Sequence, residues 1–437
     1  MLSAADNELL TRTGPGTPMG EYFRRFWQPV ALSREVAEPD CTPLKVMVMG
    51  QELVAFRDSS GTVGLLNTRC AHRGADLFLG RNEAGGLRCV FHGWKFDAQG
   101  RAMELPNVPA GSQYHQTIRV QAYPTREYGG IVWAYLGPRE SEEQSLPEVP
   151  QLEFGTLPPS HWYVTKKLQE CNWAQSLEGA IDTSHFSFLH MPAPAVPSNA
   201  NPDAPADEKR LRWIRDDPLP QFSILDHDVG FIVGGARVAD GQQRYWRTAQ
   251  FALPSHSTTP STLPGETYFG YTWVPIDDHN CWIYTYAWNP DRPFTEAERQ
   301  KFRAGHGVIA EVDENYIPIR NRGNQYLIDR LAQKHESFTG VRGVAEQDAM
   351  VHDSQGRIAD RTQEHLTAAD AAIVRFRRRV MEGARALQQG QPPEAPWKHE
   401  CYRLRSGSWV AAEGVSFEQV MMERFGHLHG RVIQQDE

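Results

Sequence analysis

Two short ligand pairs set the tightest limit on what this chain can become: Cys70-Ala-His72 and Cys89-Val-Phe-His92, with positions 73–88 between them. Each pair offers one thiolate and one imidazole. Two loops that close on each other bring all four to one centre, and spaced multi-ligand patterns are far more specific than lone Cys or His residues. Two centres take this donor set: a structural zinc, or a [2Fe–2S] cluster in which two Cys hold one iron and two His the other. Pair order separates them. A zinc finger supplies its Cys together and its His together, whereas here each loop carries one of each. The surrounding sequence also lacks the short helix that carries a finger's His pair. The cluster is therefore the expectation, ahead of zinc and of four unrelated buried residues.

The scaffold around these pairs reads as β. The run KVMVMGQELVAFRDSSGTVGLLN (45–67) alternates branched apolar residues, with turn signals at Met49-Gly50 and Asp58–Gly61, and GGIVWAYLG (129–137) is a further strand. The stretch 137–150 is polar and carries Pro138, Pro147 and Pro150, as a domain boundary does. Two domains follow: a lead and compact all-β domain over 1–150, and a mixed helix-and-strand domain over 151–437. In the second, Glu170–His190 reads as a helix and Ala195–Glu208 as a long Pro/Asn/Asp-rich loop. FIVGGARV (231–238) and YFGYTWVPI (268–276) read as strands. Thr295 with Glu298, and Thr367 with Asp370, are capping boxes that open helices. The fold class expected is α+β.

Composition excludes several function classes. The net charge is −9 and no dense Lys/Arg block interrupts it, so nucleic acid is not an expected partner. No apolar run approaches the roughly 20 residues of a membrane helix. The start, MLSAADNELLTRTGPG, lacks a basic segment followed by an apolar one. A cytoplasmic protein is expected. The six cysteines are scattered, not a disulfide framework. No G-x-G-x-x-G fingerprint is present, so electrons from a nicotinamide must arrive through a partner.

A second constellation says what those electrons are for. Glu178, Asp182 and His185 fall at i, i+4 and i+7 on one helical face, and His190 lies five residues further on. In an unbroken helix His190 turns off that face, so a break near Ser187–His190 is expected. Two His plus one carboxylate is the facial arrangement for an Fe(II) that binds O2. Within this segment the carboxylate is Glu178 or Asp182.

C-A-H-R-G (70–74) and C-V-F-H-G-W-K-F (89–96) resemble the Rieske domain of ring-hydroxylating oxygenases, and NWAQSLEGAIDTSHFSFLH (172–190) resembles their E/N-x3-D-x2-H-x4-H motif. The opening DNELLTRTGPGTPMGEYFRRFWQPV, the triplet Tyr245-Trp246-Arg247 and VAEQDAMVHDS (344–354) resemble the phthalate-dioxygenase-like branch. The resemblance implies a Rieske domain followed by a helix-grip catalytic domain with an antiparallel sheet. It implies Cys70, His72, Cys89 and His92 on the cluster, and His185, His190 and Asp348 on the iron. Asp182 then connects His185 to His92 of an adjacent chain, in a ring of three or two stacked rings. His352 is left to pack or line the pocket, and Asp360 with Arg361 reads as a structural ion pair. A separate NAD(P)H-dependent reductase, with flavin and a plant-type [2Fe–2S] centre, is implied. The substrate class implied is an aromatic carboxylate such as phthalate or a substituted benzoate, converted with O2 to a cis-dihydrodiol or a monohydroxylated or dealkylated product. A buried arginine suits such an anion; Arg247 is the first candidate and Arg215 the second. Gly235–Val238 carries one arginine where the phthalate enzymes it resembles tend to show two, and that difference implies a monocarboxylate such as a substituted benzoate. A cluster-bearing electron carrier and a zinc-stabilised binding protein are the rival classes, and the long second domain counts against the carrier.

Overall fold

The computed structural model describes residues 1–139, 141, 143–193, 206–260 and 267–425. Three small antiparallel sheets surround the Cys/His loops. One joins β2 (Leu44–Val48), β3 (Gln51–Arg57) and β4 (Val63–Asn67); a second joins β5 (Arg81–Glu83), β6 (Gly86–Arg88), β7 (Lys95–Phe96) and β8 (Ala102–Glu104). A third pairs β10 (Ile131–Tyr135) with β1 (Trp27–Leu32) on one side and β9 (Thr125–Tyr128) on the other. The turn signals act as expected. Met49 and Gly50 both take positive φ, 48° and 70°, the primed hairpin geometry that matches strand twist. Asp58 Oδ1 accepts from the amides of Ser60 and Thr62, closing the second turn.

The rest of the chain builds one large antiparallel sheet. Its order is β11 (Trp162–Gln169), β17 (Cys281–Trp288), β16 (Tyr268–Pro275), β15 (His256–Thr259), β14 (Gln243–Ala252), β13 (Gly230–Val238) and β12 (Gln221–His227), with β18 (Ser408–Ala412) also pairing β14. Helices Trp173–Ile181, Val344–Ser354 and Ala371–Gln388 complete this α+β unit. Both capping boxes form: Thr295 caps a helix over Glu296–Arg303, and Thr367 a 3-10 turn leading into Ala371–Gln388. Of the expected loop 195–208, positions 195–205 lie outside the described residues, and a helix runs over Ala206–Asp216. No described helix is long and apolar enough to cross a membrane.

The apolar cores do not divide at residue 150. Val54, Phe56, Leu66, Leu77, Leu87 and Phe96 form a small core with Cys70 and Cys89. In contrast, Leu10, Phe23, Trp27 and Trp133 share one large core with Trp173, Leu177, Tyr286 and Phe376. Alternation along β1 and β10 was never going to reveal this, because both strands are buried along their whole length.

A buried ion network holds helix Trp173–Ile181. Glu178 Oε1 lies 3.1 Å from Arg361 and 2.8 Å from Arg377, and Arg377 also forks onto Glu364. Arg361 thus pairs with Glu178 and not with Asp360, whose carboxylate accepts from Thr362. Burial opposes ionisation of Glu178, but the two guanidiniums more than offset it and hold its carboxyl below the ordinary range. Its stabilisation is therefore present above the unfolded value, about 4.3, and is lost as pH falls through the lower folded value. Glu178→Gln takes the close carboxylate from buried Arg361 and one of the two from Arg377, and should cost about 3 kcal/mol. The measurement is the urea midpoint at neutral pH against pH 4; a midpoint equal to the parent's at neutral pH removes the network from the account of stability.

Candidate metal centres

The two Cys/His loops share one backbone plan. The amide of Cys70 donates to the carbonyl of Ala75 (2.9 Å) and that of Cys89 to Trp94 (2.8 Å); Gly74 and Gly93 donate back to the carbonyls of Cys70 and Cys89. Both glycines take φ of 73°, which L side chains avoid. Both cysteines are buried, and burial pushes the Cys70 thiol up to about 11, with Cys89 beside it adding to the rise. The imidazoles of His72 and His92 meet edge to face at 4.5 Å, and His72 stacks on Trp94 at 4.4 Å. His72 Nδ1 is buried with no hydrogen-bond partner among the described residues. An unpartnered imidazole nitrogen, two buried cysteines side by side and a Cys70 thiol costly to ionise without a cation fit a metal centre. The spacing fits two metals better than one. A tetrahedral zinc draws its ligand atoms to within about 4 Å of one another. Among the described residues, only His185, His190 and Asp348 offer three ligand atoms all within 4.8 Å.

That second set is assembled by a helix that stops early. Asn172 caps its start, and it ends at Ile181, with Asp182 already extended at φ −84°, ψ 122°. Asp182 Oδ1 then accepts from the amide and hydroxyl of Ser184, both at 2.6 Å, turning the chain into a 3-10 turn over His185–Ser187. Phe188, at φ −132°, ψ −67°, makes the second break, where an irregularity was expected. The helix expected to reach His190 is thus cut at Ile181, so Glu178 and His185 do not share its face. Glu178 is committed to arginines, which leaves it no ligand role.

His185 Nε2 and His190 Nε2 lie 3.2 Å apart, and Asp348 Oδ1 sits 3.2 Å from His190 Nε2 and 3.9 Å from His185 Nε2. The outer nitrogens are engaged elsewhere. His185 Nδ1 is 3.3 Å from Asp182 Oδ2, and His190 Nδ1 is 2.6 Å from Gln347 Oε1. Gln347 Nε2 donates to the carbonyl of Val341 (2.8 Å), so its oxygen must face His190. With each Nδ1 donating, both Nε2 atoms present lone pairs to each other and to a carboxylate. Asp348 Oδ1 is buried and without a hydrogen-bond partner among the described residues. Burial opposes its charge, but the imidazoles of His190 and His185 outweigh that and hold its carboxyl below the ordinary range. Three mutually facing acceptors need a cation. Two imidazoles and one carboxylate, with positions left open, suit Fe(II) that takes up O2.

A cavity of about 460 Å3 is lined by Phe186, whose ring packs on His190 at 4.6 Å, with Arg247, Phe269 and Phe302 and the charged residues Arg292, Glu298 and Lys301. Arg247, on β14, is buried with its guanidinium carbon 3.6 Å from the centroid of the Phe186 ring. Among the described residues it has no carboxylate partner; its neighbours include Tyr245, Tyr271 and Arg210. Arg215 is not brought here. It points to the adjacent Asp216 and is about one-third exposed. Arg210, one and a half turns earlier on the same helix, is buried near Arg247, and reading the segment before it as loop concealed it. Arg237 is fully buried and donates to the carbonyls of Asp217 and Thr183, bracing the turn that follows Asp182. Gln347 was also missed; its only local signal is its place beside Asp348.

Comparison with known proteins agrees with this geometry. A family model described as Rieske [2Fe-2S] domain matches residues 26–124, and one described as LigXa C-terminal domain like matches residues 134–404. The chain is 40% identical over 401 residues to the phthalate 4,5-dioxygenase oxygenase subunit of Pseudomonas putida, spanning 90% of this chain and 88% of that one. It is 34% identical over 438 residues to the 3-chlorobenzoate-3,4-dioxygenase oxygenase subunit of Comamonas testosteroni, spanning 97% and 99%. The structure of dicamba monooxygenase bound to dicamba matches with a TM-score of 0.58 at 15% identity, over 85% of this chain and 99% of that one, a likeness of fold. With both domains in this order and such relatives matched nearly end to end, the chain belongs to the Rieske non-haem iron oxygenases, in the phthalate-dioxygenase-like branch, and carries a Rieske [2Fe–2S] cluster and a mononuclear iron.

Proposed function

We propose that this oxygenase subunit hydroxylates an aromatic carboxylate with O2, by cis-dihydroxylation of the ring, with Arg247 holding the carboxylate. The observation that carries the reading is a buried guanidinium with no acidic partner among the described residues, set 3.6 Å from the ring centroid of Phe186, the chain neighbour of His185. A buried charge left unpaired is costly, so the cavity is built for an anion. Arg210 lies near enough to reinforce the field. Phe186, Phe269 and Phe302 supply an apolar wall for a ring.

In this reading Cys70, His72, Cys89 and His92 hold the cluster, and His185, His190 and Asp348 the iron. When bound, these two centres supply single-electron relay and O2 activation. The protein's own groups do the rest. Asp182 fixes the tautomer of His185 through Nδ1, and Gln347 does so for His190. Arg247 orients the substrate and the phenylalanines limit water. The relatives are oxygenase subunits, and a separate reductase supplies the electrons; we take it to be an NAD(P)H-dependent flavoprotein with a plant-type [2Fe–2S] centre.

We further read the working unit as a ring of three chains or two stacked rings, with Asp182 facing His92 of the neighbour. Two exposed apolar groups support this. Leu79, Val90 and Phe91 are exposed around the cluster loops, and Phe188, Leu327, Leu331 and Phe338 on the iron side. Patches of this kind mark contact surfaces, and a head-to-tail contact between them closes a ring.

Three outcomes are expected. Arg247→Gln should raise the KM for the aromatic acid by roughly 30-fold or more, since truncating one member of a buried charge pair costs about 2 kcal/mol or above, and should leave turnover of the uncharged methyl ester unchanged; equal effects on both would remove Arg247 from substrate recognition. Asp182→Asn should keep cluster absorption and iron content while slowing product formation about 10–100-fold, and a variant as active as the parent would deny Asp182 its place. Co-expressing His185→Ala chains with Cys89→Ser chains should restore activity that neither has alone. Mixed particles without activity would show that electrons stay within one chain.

A further inference from the structure

Helix Trp173–Ile181 carries a glycine in its interior, where glycine costs helix stability relative to alanine. A Cβ at Gly179 would lie 2.3 Å from His352 Nε2 and 2.4 Å from its Cε1, so the imidazole occupies the space a side chain would take. His352 is buried, and its Nδ1 has no hydrogen-bond partner among the described residues. The ring is therefore seated by shape more than by hydrogen bonds.

Neither helix can retreat easily. Gln175, one turn before Gly179 on the same face, donates to the carbonyls of His352 (3.0 Å) and Gly356 (2.8 Å) and accepts from the amide of Ala359 (2.8 Å). Glu178, one turn from Gln175, ties the same helix to Arg361 and Arg377. His352 in turn lies one turn beyond Asp348 on helix Val344–Ser354. A methyl group at 179 must move the ring by about 1.1 Å to reach ordinary contact at 3.4 Å, and with the backbone of His352 pinned, the strain passes to the turn that bears Asp348. Metal–ligand distances tolerate about 0.2 Å.

We propose that Gly179 is a positioning residue for the iron site: the missing side chain, filled by the His352 imidazole, sets how closely the Asp348 helix approaches the helix that leads into His185 and His190. This rests on the reading of His185, His190 and Asp348 as the iron ligands. The test uses the full-length protein with its cluster intact, stripped of mononuclear iron by a chelator and titrated with Fe(II) against a competing chelator. Cluster absorption serves as the folding control.

The parent should bind one Fe(II) beyond the cluster iron; if it does not, the ligand reading itself fails. Given that it does, Gly179→Ala should bind Fe(II) roughly 10- to 100-fold more weakly with the cluster spectrum intact. His352→Ala should bind within a few-fold of the parent, and the double variant Gly179→Ala/His352→Ala should recover that affinity. Should Gly179→Ala alone fail to fold, the double variant is compared with His352→Ala. Equal affinities uphold the proposal, and weaker binding by a folded double variant overturns it. Parent-like binding by Gly179→Ala, or loss of Fe(II) binding in His352→Ala, overturns it as well.

Discussion

Three potential ligand atoms crowd together at the centre of this protein. His185 Nε2, His190 Nε2 and Asp348 Oδ1 face one another at 3.2–3.9 Å. Such an arrangement is unfavourable until a cation enters it, so the surrounding structure must hold it against its own repulsion. That requirement accounts for much of what the catalytic unit spends on polar burial. Asp182 and Gln347 keep the outer nitrogens protonated, Arg237 braces the turn after Asp182, and the Glu178 network anchors the helix that delivers the first histidine. The cluster loops meet the same demand more economically, with two matched backbone turns and positive-φ glycines.

The substrate side follows from the same electrostatics with the sign reversed. Arg247 lies buried near Arg210 with no carboxylate partner among the described residues, in a cavity to which Phe186, Phe269 and Phe302 contribute aromatic rings. In the function proposed, a negatively charged ring compound completes that pocket as iron completes the other. The two deficits lie next to each other because Phe186 touches both, its ring packing on His190 at 4.6 Å and under the guanidinium of Arg247.

What was legible in the sequence was what short-range chemistry encodes. The Cys/His pairs, the two histidines of the second motif, the capping boxes at Thr295 and Thr367 and the turn at Met49-Gly50 all depend on residues a few positions apart. Asp348 was reached through resemblance, since nothing local distinguishes it from other acids. The misreadings share a cause. The helix was carried on to His190 because periodicity cannot see that Asp182 bonds Ser184 and ends it. Glu178 looked like a candidate ligand because its arginine partners lie 183 and 199 residues away. Arg361 was assigned to its chain neighbour for the same reason. Arg210 went unnoticed because a helix whose start is unknown has no readable inner face.

The partition of the cores carries a mechanical consequence. Strands β1 and β10 lie in the same apolar mass as helix Trp173–Ile181, which leads into His185 and His190, while the cluster loops sit on their own small core. The electron-carrying lobe is thus grafted onto the oxygenase through interlocked side chains and not leashed to it by the proline-rich segment that follows. Its placement is governed by van der Waals fit, and the connecting segment shares that fit: Leu146 and Val149 pack on the same mass, and Trp27 Nε1 donates to the carbonyl of Pro147 at 2.7 Å.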